Sequence, residues 1–188
     1  MLTTLFNRFW KDESAAVTME TVIVVPLLAW TFSGSFIFFD AYRTYNSSVK
    51  ATYAIADIIS RQTNTVYAYD IDGMASLFEH LVRNTGEVQL RVTQVSWDGT
   101  DHTVDWSDAT GGQARLFDAN MEDMADQFPP MAVSERLILV ESFIPYRPAF
   151  DVGLDIVTFT NFTFTRPRYA GQVPFDGTVT EPPANPAS

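Results

Sequence analysis

An ionisable residue inside an otherwise apolar stretch is the strongest chemical signal in this chain. Glu20 stands five positions into residues 15–39, and from Thr21 to Phe39 no residue carries a charge. At membrane depth an ionised carboxylate is costly and marks a partner or a pathway. At headgroup depth it merely borders a span that starts at Thr21. Both readings fit the spacing. The other titratable groups are less organised. Asp98, Asp101, Asp105 and Asp108 form an acidic run and Asp70-Ile71-Asp72-Gly73 a shorter one, but neither has the spacing or closing Glu of a calcium loop. Turn chemistry accounts for both. His80 and His102 are far apart, and neither falls in a metal-ligand spacing. There is no Gly-rich phosphate loop, no Gly-x-Ser-x-Gly and no nucleophile beside a base. The sequence therefore predicts no catalytic residue, no cofactor and no metal, and the chain reads as a non-enzyme.

The element that must position Glu20 is a helix. Residues 15–39 would span about 37 Å at 1.5 Å per residue, enough for a hydrocarbon core of about 30 Å. In lipid a lone segment has to be helical, because its backbone groups find partners only within itself. Two other readings stay open. A cleaved secretory signal would use Ser33-Gly34-Ser35 as its small-residue site, although the apolar run continues through Phe36-Ile37-Phe38-Phe39. A buried core helix is the other, yet this segment is apolar on every face and heads the chain. Arg8 and Lys11 precede the span, with Asp40, Arg43 and Lys50 after it, so basic residues nearly tie across it. The usual solution for one N-terminal span puts residues 1–14 in the cytoplasm as a short leader and the larger domain outside. A net charge of −11 argues against nucleic acid, and the absence of cysteine leaves the outer domain to stand on its core alone.

Beyond the span the expected fold is α+β: a long N-terminal transmembrane helix extending into a small antiparallel-sheet domain over residues 40–170. Residues 40–62 continue the helix as a stalk, with Tyr42, Tyr45, Val49, Tyr53, Ala56 and Ile59 as its apolar stripe. A second helix opens at Asp70 or Asp72 as N-cap, buries Met74, Leu77, Phe78, Leu81 and Val82, and stops at Asn84-Thr85-Gly86. Residues 88–97 alternate as a half-buried strand, Asp98-Gly99 turns, and residues 102–106 return. A short helix is expected within residues 115–128, then strands over residues 136–146 and 156–165, the last from its β-branched and aromatic content. Residues 171–188, with four prolines and little apolar surface, read as a disordered tail.

The stretch Asp12-Glu13-Ser14-Ala15-Ala16-Val17-Thr18-Met19-Glu20 resembles the processing region of type IV pilin-like proteins. It looks most like the TadE/TadG family of pseudopilins from tight adherence (Tad) pilus systems. The run Val22-Ile23-Val24-Val25-Pro26-Leu27-Leu28 matches that family's apolar stretch with an early proline, and Leu139-Val140-Glu141-Ser142-Phe143-Ile144-Pro145-Tyr146 is similar to a family strand ending near a proline. The specific motif covers residues 8–30. Ala15 stands where the family usually has Gly, and Thr21 where it usually has an aromatic. The resemblance implies a pilin-like fold and a structural role in pilus biogenesis. It implies a cut between Ala15 and Ala16 by a prepilin peptidase, with the chain as substrate, and Glu20 as the fifth mature residue, an intramembrane carboxylate for a neighbouring subunit's new amine. Pro26 would be a soft point in the helix, or a tolerated membrane proline. The implied partners are the inner membrane, other pilin-like subunits and the pilus assembly platform. The competing reading is a membrane-anchored periplasmic binding or scaffold module unrelated to pili.

Overall fold

A computed structural model describes residues 13–83, 88–150, 153 and 155–182. One helix, α1 (Glu13–Ser60), runs 48 residues without a break. The chain divides into two compact units: residues up to Tyr42 with Pro148–Asp155, and Arg43–Arg147 with the residues from Ile156 onward. α1 passes from the first into the second.

In the second unit, β1 (Val66–Tyr67) leads into α2 (Ala68–Val82), followed by the hairpin β2 (Gln89–Trp97) and β3 (His102–Ala109). Gly99 closes that hairpin at φ +106°, a conformation closed to most side chains. Short helical turns, including α3 (Met121–Met124), precede β4 (Arg136–Tyr146), β5 (Val157–Thr165) and β6 (Phe175–Asp176). The sheet has the order β3-β2-β4-β5 and every pairing in it is antiparallel. A long apolar N-terminal helix packed against a four-stranded antiparallel sheet is the α+β, pilin-like arrangement expected.

β4 explains why the sheet needs two covers. It is buried along nearly its whole length, so both of its faces require a partner layer. Ile138, Val140 and Ile144 join Ala51, Ile55, Ala56 and Ile59 of α1 and Ile71, Met74, Ala75, Phe78 and Val82 of α2 in the main core. On the other face Leu139 and Val95 pack with Leu116 and Met121 from the segment after β3. β2 is accordingly buried on both faces in its middle, where alternation predicted one wet side.

Four expectations are corrected here. The stalk buries Ala56 and Ile59 as expected, but its other buried residues include Ser48, Ala51, Thr52 and Ile55, whereas Tyr53 is 60% exposed. A sheet lying close against a helix favours small residues at the contact, and the tyrosines keep to the outside. The seam is also polar: the Thr52 and Ser142 hydroxyls lie 2.8 Å apart, and the Asn161 amide donates to Ser48 Oγ at 2.8 Å. In α2, Ile71 and Ala75 are buried while Leu77 and Leu81 face outward, and the helix begins earlier than expected. Tyr67 is its N-cap, and Asp70 at the third position accepts the Tyr67 backbone N–H at 2.9 Å. Residues 84–86, the expected stop, lie outside the described residues; Arg83 ends the helix at φ 55°. Finally, the expected disordered tail is ordered at its start. Val173 is fully buried, its N–H donates to Gln94 Oε1, and its carbonyl accepts the Trp106 indole N–H. β6 pairs parallel with β1, and Phe175 stacks on Trp106 with centroids 4.6 Å apart. Two apolar residues among prolines were enough to hold the strand. Residues 183–188 of the tail lie outside the described residues.

Candidate functional site

Ala15, Ala16, Glu20 and Pro26 all fall on α1, so one element places the whole candidate motif. Ala16 and Glu20 are four residues apart and therefore share a helix face about 6 Å apart along the axis. Around Glu20 the helix presents Val17, Val22, Ile23 and Val24 to its surroundings, exposed by 61%, 62%, 67% and 39%. Such a surface is wrong for water and right for hydrocarbon. By length and composition this helix suffices for a single membrane span.

The polar residues of the span are silenced internally. Thr21, Thr31, Ser33 and Ser35 each donate a hydroxyl to the carbonyl four residues earlier, at 2.8–2.9 Å. Thr21, the departure from the aromatic of the resembled family, thus adds no unpaired hydroxyl to the apolar surface of the helix. Glu20 is different in kind, since a carboxylate cannot donate to its own helix when ionised. Pro26 sits within α1 and the helix continues through it. Having no N–H, it leaves the Val22 carbonyl without its helical donor.

The acidic run from Asp98 to Asp108 does not converge. Asp98 accepts the Thr100 and Asp101 backbone N–H groups at 2.7 Å, and these bonds hold its carboxyl below the usual range. Asp105 takes Arg136 and Gln94, while Asp108 pairs with Arg115 at 2.6 Å. Burial pushes Asp108 up, with Arg115 opposing it. Among the described residues, no three His, Asp or Glu side chains are grouped to hold a metal. His80 is exposed on α2.

His102 lies between Trp97 and Phe128, with ring centroids 4.4 and 4.3 Å away. Burial lowers its pKa, against the pull of Asp101 and Asp98. As pH falls below about 6.5, the unfolded chain takes up a proton that the folded site resists, so stability drops. His102→Phe is expected to flatten that slope; urea midpoints of the full chain in detergent at neutral pH and at about pH 5.5 measure it.

Sequence reasoning missed the buried ion pair of Arg91 and Glu141. Arg91 Nε and Nη2 donate to the two carboxylate oxygens at 2.6 and 2.7 Å, across the β2–β4 register. The available signal was a lone acid within the apolar run of β4. The sequence also gave no hint that Pro148–Asp155 belongs to the same unit as the span. No protein-family model, curated protein or solved structure matches this chain.

Proposed function

We propose that this chain is a minor pilin-like subunit, a pseudopilin, of a Tad-type pilus assembly or secretion system, with a structural role in pilus biogenesis. The observation that carries the reading is Glu20, an acid on the apolar helix one turn after Ala16 and six residues before Pro26. A long apolar helix laid against an antiparallel sheet supports it as the general layout of such subunits.

In this reading the chain sits in the inner membrane with its leader in the cytoplasm and its sheet domain in the periplasm. A prepilin peptidase cuts between Ala15 and Ala16, and the new amine gains a carboxylate partner from Glu20 of a neighbouring subunit. Pairing relieves two charges that lipid penalises separately. The outer domain then contributes shape and contacts to pilus initiation, without catalysis of its own.

Mass spectrometry of the protein from peptidase-positive cells tests the processing step. The expected N-terminus is Ala16, and the expected precursor in peptidase-deficient cells keeps residues 1–15. An intact leader in both strains overturns the cut.

A further inference from the structure

Among the described residues of the apolar segment, most side chains are exposed and Ile37 is buried. Phe36, Phe38 and Phe39 are 68%, 60% and 75% exposed, yet Ile37 among them is 2% exposed and Ala41, one turn on, is 9%. Ile37 and Ala41 share one face, so something covers that face at that level. Pro148–Asp155 is the stretch outside α1 that forms one compact unit with the span. Its turn Pro148-Ala149-Phe150 carries no charge, and Phe150 is 64% exposed.

The level is the informative part. Counted from Glu20 at 1.5 Å per residue, Ile37 lies about 26 Å and Ala41 about 32 Å along the helix. A hydrocarbon core of about 30 Å that begins near Glu20 ends between them. A turn that covers these two residues sits at the outer boundary of the bilayer. An aromatic ring exposed there continues the apolar band made by Phe36, Phe38 and Phe39.

We propose that Pro148-Ala149-Phe150 is a membrane-interface wedge, seating Phe150 among the headgroups and upper acyl chains of the outer leaflet. The inference rests on reading α1 as a membrane span. Its occupant is lipid, because the unit to which the turn belongs otherwise exposes the apolar side chains of the span, Phe36, Phe38 and Phe39 among them. A lipid contact beside the helix axis adds a second point of attachment. Such anchors set the tilt and rotation of a lone helix, and so the direction in which Glu20 faces its neighbours.

The chain has no cysteine, so single nitroxide labels can be placed cleanly. The full chain carrying Phe150→Cys is labelled and reconstituted in vesicles of phosphatidylethanolamine and phosphatidylglycerol, beside Phe36→Cys in the span and Phe117→Cys on the outer domain. All three side chains are well exposed, so none of the changes opens the core. The expected label at Phe150→Cys is more accessible to oxygen than to a water-soluble nickel chelate, at a depth between the other two. An accessibility equal to that at Phe117→Cys, with Phe36→Cys in lipid, overturns the wedge alone. A label at Phe150→Cys shielded from both reagents means a protein contact in place of lipid and also overturns it. Water exposure at Phe36→Cys removes the spanning reading and the wedge with it.

Discussion

Replacing Glu20 with alanine is expected to leave the chain in the membrane and to remove it from the assembled pilus fraction. The two halves of this result have separate causes. Insertion depends on the apolarity of residues 17–39, which the substitution increases, since acidic residues at the centre of a span oppose insertion. Assembly in the proposed reading depends on a carboxylate meeting a neighbour's amine at Ala16. Deleting one partner of a buried pair costs about 3–5 kcal/mol, because the other charge stays unpaired, and this corresponds to roughly two to four orders of magnitude in association. Glu20→Gln keeps the volume and hydrogen bonding and should fail almost as badly, which separates charge from packing. Carbonate-resistant membrane fractionation reads insertion, and the sheared surface fraction reads assembly. Wild-type assembly by Glu20→Ala would exclude the pairing. Exchange of residues 13–39 for an unrelated span lacking the acid distinguishes the rival: a membrane-anchored binding module keeps its function and a pilin-like subunit loses it.

What could be read from the sequence, and what could not, divides by the range of the interactions involved. A helix long and apolar enough for a membrane span is encoded by length and composition within residues 15–39, so it needed no knowledge of the rest of the chain. β4 was legible for a related reason: its dense apolar run lies between the turn after Val133 and the prolines at 145 and 148, and the strand occupies Arg136–Tyr146. Which face of the stalk is buried was not legible. Ser48, Ala51 and Thr52 become core only because β4 and β5 approach closely enough to use Ser142 and Asn161 as partners, up to 113 positions away. The same holds for Val173, whose burial depends on Gln94 and Trp106. Of the candidate site, Glu20 was legible as a charge inside an apolar stretch, whereas Ala15, Ala16 and Pro26 were singled out by the family resemblance; all four lie on one helix. The segment that joins the span's own unit, Pro148–Asp155, was hidden because no local pattern records a partner more than a hundred positions away.

Glu141→Ala is expected to be among the most destabilising single changes in the sheet domain. Glu141 sits in the middle of β4 on the face opposite α1, with its side chain 8% exposed, and Arg91 directly opposite on β2 is 11% exposed. The guanidinium is fully employed. It grips both oxygens of Glu141, donates to the Ala114 carbonyl at 3.0 Å, and lies 5.4 Å from the centre of the Phe143 ring. Removing the carboxylate leaves that cation in a site built to exclude water, with a cost of about 3–5 kcal/mol. Against a typical domain stability of about 5–15 kcal/mol, this is enough to raise the unfolded fraction in cells. The pair itself has a smaller net value, because both charges were stripped of water to form it. Arg91→Met with Glu141→Leu should therefore recover most of the loss, to within about 1–2 kcal/mol of wild type. What the double variant gives up is the bond to Ala114, which tethers the segment carrying Leu116 and Met121 over the second core. Urea unfolding of the full chain in detergent, followed by tryptophan fluorescence, measures the single and the double variant against wild type. If Glu141→Ala unfolds within about 1 kcal/mol of wild type, the site is wetter than its burial indicates and the pair is an ordinary surface contact. If the double variant is as unstable as the single, the guanidinium's bond to Ala114 and its packing on Phe143 outweigh the charge, and the second core hangs on Arg91 itself.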